Sequence, residues 1–232
     1  MLVPIADPCT PPEQAVARAR ALASSGKRRV LGLVGAPGSG KSTVCASLLA
    51  ALGPLAVVVP MDGFHLAQVE LERLGRTGRK GAPDTFDSAG YVALLRRLRE
   101  PTAGETIYAP DFNREIEEPI AGAIGVAPDV PLVITEGNYL LMDAIDAPGS
   151  HWHAVRALLD EVWYVDVDDA LRIERLVRRH EQYGRSAQAA RDWVTNTDEP
   201  NARRIAATRM RADFAMRSCH GPVFCNEQPT VT

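Results

Sequence analysis

The chain has 232 residues, a formal net charge of −3 and a hydrophobic content of 46%. This length suits one α/β domain, and we predict a single domain over residues 1–232. The slightly acidic balance argues against a protein that neutralises nucleic-acid phosphates over a broad surface. No apolar run approaches membrane-spanning length, and no leader-like N-terminus is visible. We therefore expect a cytoplasmic protein with neither a nucleic-acid nor a membrane partner.

Short apolar runs and helical patterns follow one another along the chain. In chain order we predict a helix at 13–23, a buried strand at 29–34, a helix at 41–52 and a strand at 55–60. A loop at 75–89, a helix at 88–99 and an irregular segment at 101–130 come next. The remaining predictions are strands at 132–135 and 162–165, helices at 171–182 and 187–216 with a break at 195–200, and a strand at 223–224.

The order strand, glycine-rich loop, helix, strand over residues 29–60 defines a βαβ unit. Such a unit implies parallel strands joined by a right-handed crossover. The predicted fold class is α/β, a P-loop NTPase three-layer sandwich with a mostly parallel sheet. A small helical lid is predicted at about 172–200, where arginine is frequent.

A glycine-rich segment between the first strand and the following helix has the pattern of a phosphate-binding loop. Glycines let successive backbone N–H groups point inward, and the helix N-terminus adds positive potential. The lysine would reach the β- and γ-phosphates, and the serine hydroxyl would ligate Mg²⁺. The predicted nucleotide-binding residues are Gly35, Ala36, Pro37, Gly38, Ser39, Gly40, Lys41, Ser42 and Thr43, with Lys41 also catalytic and Ser42 also a metal ligand.

Acidic residues follow two of the predicted strands, at the sheet edge where chemistry is expected in parallel sheets. Asp62 comes after the second strand, where a carboxylate can take a proton from an attacking hydroxyl. Glu136 follows the third, where a carboxylate can hold Mg²⁺ directly or through water. The alternative for both residues is that they cap the helices that follow them.

Arg172, Arg175 and Arg179 recur at helical spacing, with Arg178 adjacent. Arginines on one helix face can close over a transferring phosphoryl group and neutralise its oxygens. The alternative is a solvated face paired with Glu174 and Glu181. The pattern leaves both interpretations open.

The chain also resembles the phosphoribulokinase/uridine kinase family over about residues 30–214. The segments that carry the resemblance are Met61-Asp62-Gly63-Phe64, Lys80 to Asp87, Pro110-Asp111-Phe112-Asn113-Arg114 and Glu136-Gly137-Asn138-Tyr139. The stretch from Arg178 to Phe214 is most similar to nucleoside/nucleotide kinase-like and fructose-transport-kinase proteins, and the Asp-Gly-Phe and Lys-Gly-x-Pro segments resemble bacterial pantothenate kinases. The uridine kinase segment that reads the base has a histidine with no counterpart here, so the resemblance does not imply pyrimidine recognition.

The resemblance implies a kinase that uses ATP and Mg²⁺, with Asp62 as general base and Glu136 near the metal. Arg175 and Arg178 would belong to the lid, and a homodimer is plausible. The residues that the resemblance places in or near the acceptor pocket are His65, Lys80, Asp84, Tyr108, Asp111 and Arg114. Plainer interpretations exist for three of them: Lys80 as a loop charge, Arg114 as a partner of Glu117 or Glu118, and His65 as a structural histidine.

These features predict an ATP-dependent phosphotransferase whose acceptor is a hydroxyl of a small polar metabolite, such as a nucleoside, a sugar or a pantothenate-like molecule. A nucleotide-dependent regulatory ATPase is the alternative from another class. The chain lacks the Asn-Lys-x-Asp segment of guanine-specific switches and the Leu-Ser-Gly-Gly-Gln signature of ABC-type ATPases. A third interpretation is a non-catalytic nucleotide-binding module, which the joint presence of Lys41, Ser42, Asp62 and Glu136 disfavours.

Overall fold

The computed structural model describes residues 13–218 and 224–226. The strands are β1 (Arg29–Val34), β2 (Ala56–Pro60), β3 (Ile107–Asn113), β4 (Glu118–Val126), β5 (Leu132–Gly137), β6 (Glu161–Val167), β7 (Phe214–Ser218) and β8 (Phe224–Asn226). The α-helices are α1 (Glu13–Ala23), α2 (Lys41–Leu52), α3 (Gln68–Arg73), α4 (Ser88–Arg99), α5 (Asp169–Gln182), α6 (Ala187–Trp193) and α7 (Glu199–Ala206).

Six strands form the main sheet in the order β2-β5-β1-β6-β7-β8. The first five are parallel, and β8 is antiparallel to β7. In register, Val34 of β1 lies beside Gly137 of β5, and Pro60 of β2 lies beside Glu136. The carboxyl ends of β1, β2 and β5 therefore meet at one edge of the sheet, which brings together the loops that follow these three strands.

The sheet separates two hydrophobic cores, because successive side chains of a strand point to opposite faces. Leu31 and Leu33 of β1 pack with α1 and α2, in the core that also contains Leu48. Val30 and Val34 pack on the other face, in the core formed largely by α4 and the aromatic residues of the 139–152 region. Helices thus cover both faces, which confirms the predicted three-layer α/β sandwich.

A two-stranded antiparallel sheet made of β3 and β4 stands apart from the main sheet. Residues 101–130 were expected to be irregular because they contain several prolines and glycines, and that prediction was wrong. The prolines are tolerated because a two-stranded ribbon leaves one edge of each strand unpaired within its own sheet. The pairing also shifts register between Ala109 and Asp111, where Gly122 of β4 has a φ of +68°. The alternation of inward and outward side chains that marks a strand in the sequence is therefore interrupted at this bulge.

The prediction that the helix beginning at residue 187 continues to residue 216 was also wrong. α6 continues through a π-helical turn (Val194–Asp198) into α7, so the expected break is a change of helix type rather than a gap. The chain then leaves the helix, and Phe214–Ser218 forms β7 beside β6. Phe224 lies in β8, whereas Val223 lies outside the described residues. The described part of the chain contains no helix that is both long and apolar enough to span a bilayer.

The cytoplasmic location, the limits of the lid and the extent of the single domain stay predictions.

Candidate active site

A cavity of about 590 Å³ opens at the carboxyl edge of β1, β2 and β5. Its volume lies in the range that small-molecule sites occupy. The glycine-rich loop forms its floor, the tip of the β3–β4 hairpin forms one wall, and α5 to α7 form the opposite wall. Residues from all three parts line it: Pro37, Gly38, Gly40, Lys41, Ser42, Thr43, Asp62, His65, Lys80, Phe112, Arg114, Glu117, Glu136, Asn138, Arg175, Arg179, His180, Trp193, Asp198 and Asn201, among others.

Glycine is required in the loop for two physical reasons. A β-carbon at Gly35 would lie 2.4 Å from the carbonyl oxygen of Val165, so no side chain fits there. Gly38 has a φ of +79°, and a β-carbon on it would lie 3.0 Å from the carbonyl oxygen of Arg172 on α5. The left-handed conformation and the close approach of α5 both exclude larger residues. The loop therefore packs directly against the first lid helix.

Lys41 is buried and lies across the loop. Its Nζ donates hydrogen bonds to the carbonyl oxygens of Gly35 (2.9 Å) and Ala36 (3.1 Å) and to Oδ1 of Asn138 (2.9 Å). Burial lowers the pKa of Lys41, although the charges of Glu136 and Asp62 oppose that change. The lysine thus sits at the first turn of α2, where backbone N–H groups and a cationic side chain favour phosphate.

Ser42 and Glu136 supply an oxygen pair next to this loop. Ser42 Oγ donates a hydrogen bond of 3.2 Å to Glu136 Oε1, and Glu136 is the penultimate residue of β5. The carboxylate is therefore not a helix cap, which removes the alternative interpretation. Burial raises the pKa of Glu136, whereas the charge of Lys41 opposes that change. A hydroxyl and a carboxylate beside a phosphate loop are hard oxygen donors, which is the chemistry that fits Mg²⁺.

Asp62 faces the same cavity from the turn after β2. The cap interpretation of Asp62 does not hold, because α3 begins at Gln68, whose backbone N–H donates to the carboxylate of Glu118. The Asp62 carboxylate instead accepts a hydrogen bond of 2.9 Å from Nη2 of Arg114. Burial alone would raise the pKa of Asp62, but the charges of His65, Arg114 and Lys41 outweigh it and hold this pKa below its ordinary value.

His65 supports the turn that carries Asp62. Its Nδ1 donates to the backbone carbonyl oxygen of Asp62 at 2.8 Å, which fixes the neutral tautomer with a proton on Nδ1. The ring packs on Phe86 and Phe112, with centroids 3.9 and 4.6 Å away. Burial lowers the pKa of His65 in spite of the Asp62 charge. Burial therefore disfavours the charged imidazole, and the other cations that lower the pKa of Asp62 are Arg114 and Lys41.

Lys80 holds the tip of the β3–β4 hairpin. Its Nζ donates a 2.6 Å hydrogen bond to the carbonyl oxygen of Glu117, a residue that has a positive φ of 56°. The same ammonium lies 5.5 Å from the centre of the Phe112 ring, and the Arg114 guanidinium lies 5.8 Å from that ring. The plainer interpretation of Lys80 as a free loop charge is therefore wrong. Lys80 contacts the four-residue turn that presents Arg114 to Asp62.

The lid arginines divide into three environments. Arg172 is buried, and its guanidinium bonds to Asp169 and Glu199, so it joins α5 to α7. Arg178 is exposed and pairs with Glu174 at 2.6 Å. Arg175 and Arg179 line the cavity. Residues i+3 and i+4 both lie near residue i on a helix surface, so spacing alone does not choose between Arg178 and Arg179. The structure places Arg179 in the cavity with Arg175, so the prediction that Arg178 acts with Arg175 was wrong.

Comparison with known proteins agrees with this arrangement. Residues 30–220 match the model of the phosphoribulokinase / uridine kinase family. The chain belongs to this family. A provisionally named uridine kinase of Schizosaccharomyces pombe is 35% identical over 172 residues, which cover 70% of this chain and 71% of the relative.

Solved structures show the same fold. A protein from Silicibacter sp. TM1040, provisionally named a fructose transport system kinase, has a TM-score of 0.75 and 39% identity, covering 87% of this chain and 97% of that one. YFH7 of Saccharomyces cerevisiae has a TM-score of 0.74 at 20% identity, covering 90% and 99%. The protein is thus a P-loop kinase of the phosphoribulokinase/uridine kinase family, whose members act on small metabolites.

Three acceptor residues implied by the family resemblance lie outside the main cavity. Asp84 forms ion pairs with Arg76 and Arg79 on the surface. Tyr108 is exposed on β3. Asp111 accepts a hydrogen bond from the backbone N–H of Phe112 and lines an adjoining cavity of about 300 Å³ beside α2 and β2, which shares Asp62, Arg114 and Glu136 with the main cavity. In a strand, successive side chains face opposite sides, so the hairpin cannot direct all of its polar residues into one site.

Sequence reasoning missed some residues of the site. Asn138 was part of a recognised segment, but its contact with Lys41 depends on the distance between two strand ends. His180 and Asp198 form a hydrogen-bonded pair of 2.8 Å on the lid wall, and buried Asn201 lies near them on α7. These three come from different helical elements, and their proximity arises from the π-helical turn. Arg179 was named from its spacing to Arg175, but Arg178 was assigned to the site in its place.

Proposed function

We propose that this protein transfers the γ-phosphoryl group of ATP to a hydroxyl of a small polar metabolite. The observation that carries the proposal is the position of Asp62, a carboxylate that shares one cavity with Lys41 of the phosphate loop and with the oxygen pair of Ser42 and Glu136. A donor loop alone supports nucleotide binding. A carboxylate positioned across the same cavity supplies the group that an acceptor hydroxyl needs.

On the donor side, the loop N–H groups, Lys41 and the N-terminus of α2 bind the phosphates, and Arg175 faces them from the lid. Ser42 and Glu136 would hold Mg²⁺, which when bound neutralises charge on the β- and γ-phosphates. These groups lower the barrier because they are already oriented toward the transferring phosphoryl group before the reaction. Positioning and charge neutralisation account for most of phosphoryl transfer catalysis.

On the acceptor side, Asp62 orients the attacking hydroxyl. The bond from the γ-phosphorus to the bridging oxygen of ADP breaks, a bond to the acceptor oxygen forms, and the hydroxyl proton passes to Asp62. Because the charges of His65, Arg114 and Lys41 together hold the pKa of Asp62 below its ordinary value in spite of burial, the carboxylate is a weak base. It therefore takes the proton late, when the hydroxyl has become acidic through bonding to phosphorus. The loose transition state of phosphoryl transfer suits this order.

Uridine and fructose are suggested by the names of the relatives, D-glycerate by a structural neighbour named D-glycerate 3-kinase of Cryptococcus neoformans, and pantothenate by the sequence resemblance. The panel contains uridine, fructose, pantothenate and D-glycerate with ATP and Mg²⁺, and ADP release is followed against a water-only control. We expect at least one acceptor to raise ADP release and to yield a phosphorylated product by mass spectrometry. A regulatory ATPase would instead show acceptor-independent release that a protein partner stimulates, and that result would refute the proposal.

The substitution Asp62→Asn tests the role of the carboxylate directly. It keeps the shape but removes the proton acceptor, so we expect a loss of about 10²–10⁴-fold in transfer rate with little change in ATP affinity. Asp129→Asn is the matched control, since Asp129 is exposed on the loop before β5, at the opposite edge of the sheet. Normal turnover by Asp62→Asn would show that Asp62 is not the base.

A further inference from the structure

Arg179 carries a positive charge that no carboxylate of the described chain contacts. It lines the cavity, and within residues 13–218 and 224–226 it makes neither a hydrogen bond nor an ion pair. The carboxylates close enough to favour its charge belong to Asp198 and Asp62. Asp198 already accepts a hydrogen bond from His180, and Asp62 accepts one from Arg114. A half-buried cation in this position needs an anion that enters from outside the protein.

A second guanidinium lies close to the first. Burial lowers the pKa of Arg179, and repulsion from Arg114 lowers it further, so the two like charges face the same space. Arg114 uses Nη2 for its hydrogen bond to Asp62. A guanidinium has five N–H donors, so Arg114 can bind an anion and hold Asp62 at the same time. Two arginines with free donors form a fork that suits a carboxylate or a phosphate.

This pair lies at the junction between the phosphate loop and Asp62. Arg175 Nη1 lies 3.7 Å from the place that a β-carbon of Gly40 would occupy, so Arg175 belongs to the phosphate loop side. Arg179 lies one helical turn farther along α5, and its charge acts on Asp62 as well as on Lys41. Arg114 comes from the hairpin tip, which contributes nothing to the phosphate loop. An anion between Arg114 and Arg179 therefore lies beside the base, where the acceptor must bind.

We propose that Arg114 and Arg179 form an anion subsite, and that the acceptor carries a carboxylate or phosphate group in addition to the hydroxyl that is phosphorylated. The inference rests on the proposed function, and it narrows the acceptor from polar metabolites in general to hydroxy acids and sugar phosphates. The anion would offset the repulsion between the two arginines. It would also fix the orientation of the hydroxyl relative to Asp62.

The test compares acceptors that differ in one acidic group. The pairs are D-glycerate and glycerol, pantothenate and pantothenol, and ribulose 5-phosphate and ribulose, with kcat/KM measured from ADP release. We expect the acidic member of the productive pair to be preferred at least tenfold, and the pair that responds distinguishes a carboxylate from a phosphate. The ratio of kcat/KM between the two members of a pair is insensitive to a general loss of catalysis, because such a loss affects both members equally. This control is needed because substitution of Arg114 also removes its contact with Asp62.

Variants assign the preference to the two arginines. Arg179→Gln and Arg114→Gln should reduce the preference to about threefold or less, and Arg179→Lys should restore part of it. Arg178→Gln is the matched control, because Arg178 lies next in sequence on α5 but pairs with Glu174 outside the cavity. If Arg179→Gln weakens ATP binding and acceptor-independent hydrolysis while the acidic preference survives, Arg179 serves the γ-phosphate and the inference is wrong. Equal rates for both members of every productive pair would also overturn it.

A direct binding measurement decides the matter even if no acceptor in the panel turns over. The donor site is filled with Mg²⁺ and a non-hydrolysable ATP analogue, and inorganic phosphate or acetate is titrated by calorimetry. We expect millimolar binding of one anion by the wild type and by Arg178→Gln, and at least fivefold weaker binding by Arg179→Gln. Absence of binding by the loaded wild type, or equal binding by all three proteins, would overturn the subsite. Failure of the whole acceptor panel with intact anion binding would count against the proposed function alone.

Discussion

Lys80 offers a sharp test of how the acceptor side is assembled. The Lys80 side chain is only 14% exposed. Substitution to Met keeps its aliphatic part, which packs in the site, but removes the ammonium group. The lost contacts are the 2.6 Å hydrogen bond to the Glu117 carbonyl and the position over the Phe112 ring. We expect the hairpin tip to loosen and Arg114 to leave Asp62 for part of the time.

The size of the effect follows from the contact that is lost. A hydrogen bond with one charged partner contributes about 1.5–3 kcal/mol, which corresponds to about 10- to 150-fold in rate if the turn must be in place for transfer. The loss should appear in kcat. A lysine that only touched the acceptor would act mainly on KM.

The assay is a double-mutant cycle on ADP release with the productive acceptor. Lys80→Met, Arg114→Gln and the double variant are compared, with Arg79→Met as the control because Arg79 is the preceding residue and pairs with Asp84 outside the cavity. If Lys80 acts through Arg114, it should lower kcat by less than about threefold in the Arg114→Gln background. Additive losses, or a pure rise in KM, would refute this account.

Two further predictions concern stability. Gly38→Ala should lower Tm and nucleotide affinity more than Gly104→Ala. Both glycines have φ near +80°, so both substitutions cost about 1–2 kcal/mol for the left-handed backbone, but only a β-carbon at position 38 would also contact α5. Equal losses of Tm would contradict the packing argument. Burial lowers the pKa of His65 in the folded protein, so below about pH 6.5 the unfolded chain binds more protons than the folded one. The free energy of unfolding therefore decreases as the pH is lowered through this range. His65→Asn should flatten the Tm profile between pH 7 and 5.5, whereas parallel profiles would exclude this role.

The central βαβ unit could be predicted from sequence because its signals are local. The limits of β1 and α2 agree with the predictions, since an uninterrupted apolar run and a glycine-rich loop mark them. Asp62 and Glu136 were found for the same reason, because each follows a buried strand. Their chemical partners could not be predicted. The family resemblance placed Arg114 in the acceptor pocket, but no local pattern indicates its 2.9 Å contact with Asp62 across 52 residues.

The lid shows why part of the site could not be predicted. Spacing alone indicates that Arg175 and Arg179 share a helix face, but it does not tell which face meets the loop. That choice depends on the packing of α5 on Gly38 and on the burial of Arg172, both of which are tertiary. Arg178 was therefore selected over Arg179. β7 was missed for a similar reason, since a five-residue strand after a helix is defined by its neighbour β6.

The hairpin between α4 and β5 has a consequence for how such an enzyme diverges. Its turn, residues 114–117, is exposed and adds no side chain to either hydrophobic core, yet it supplies Arg114 to the base and Glu117 to the cavity wall. The donor loop is encoded elsewhere, within 35–43, and is constrained by packing on both sides. On the proposed function, replacement of these four surface residues would change the choice of acceptor while the folding of the sheet and the use of the nucleotide stay unchanged.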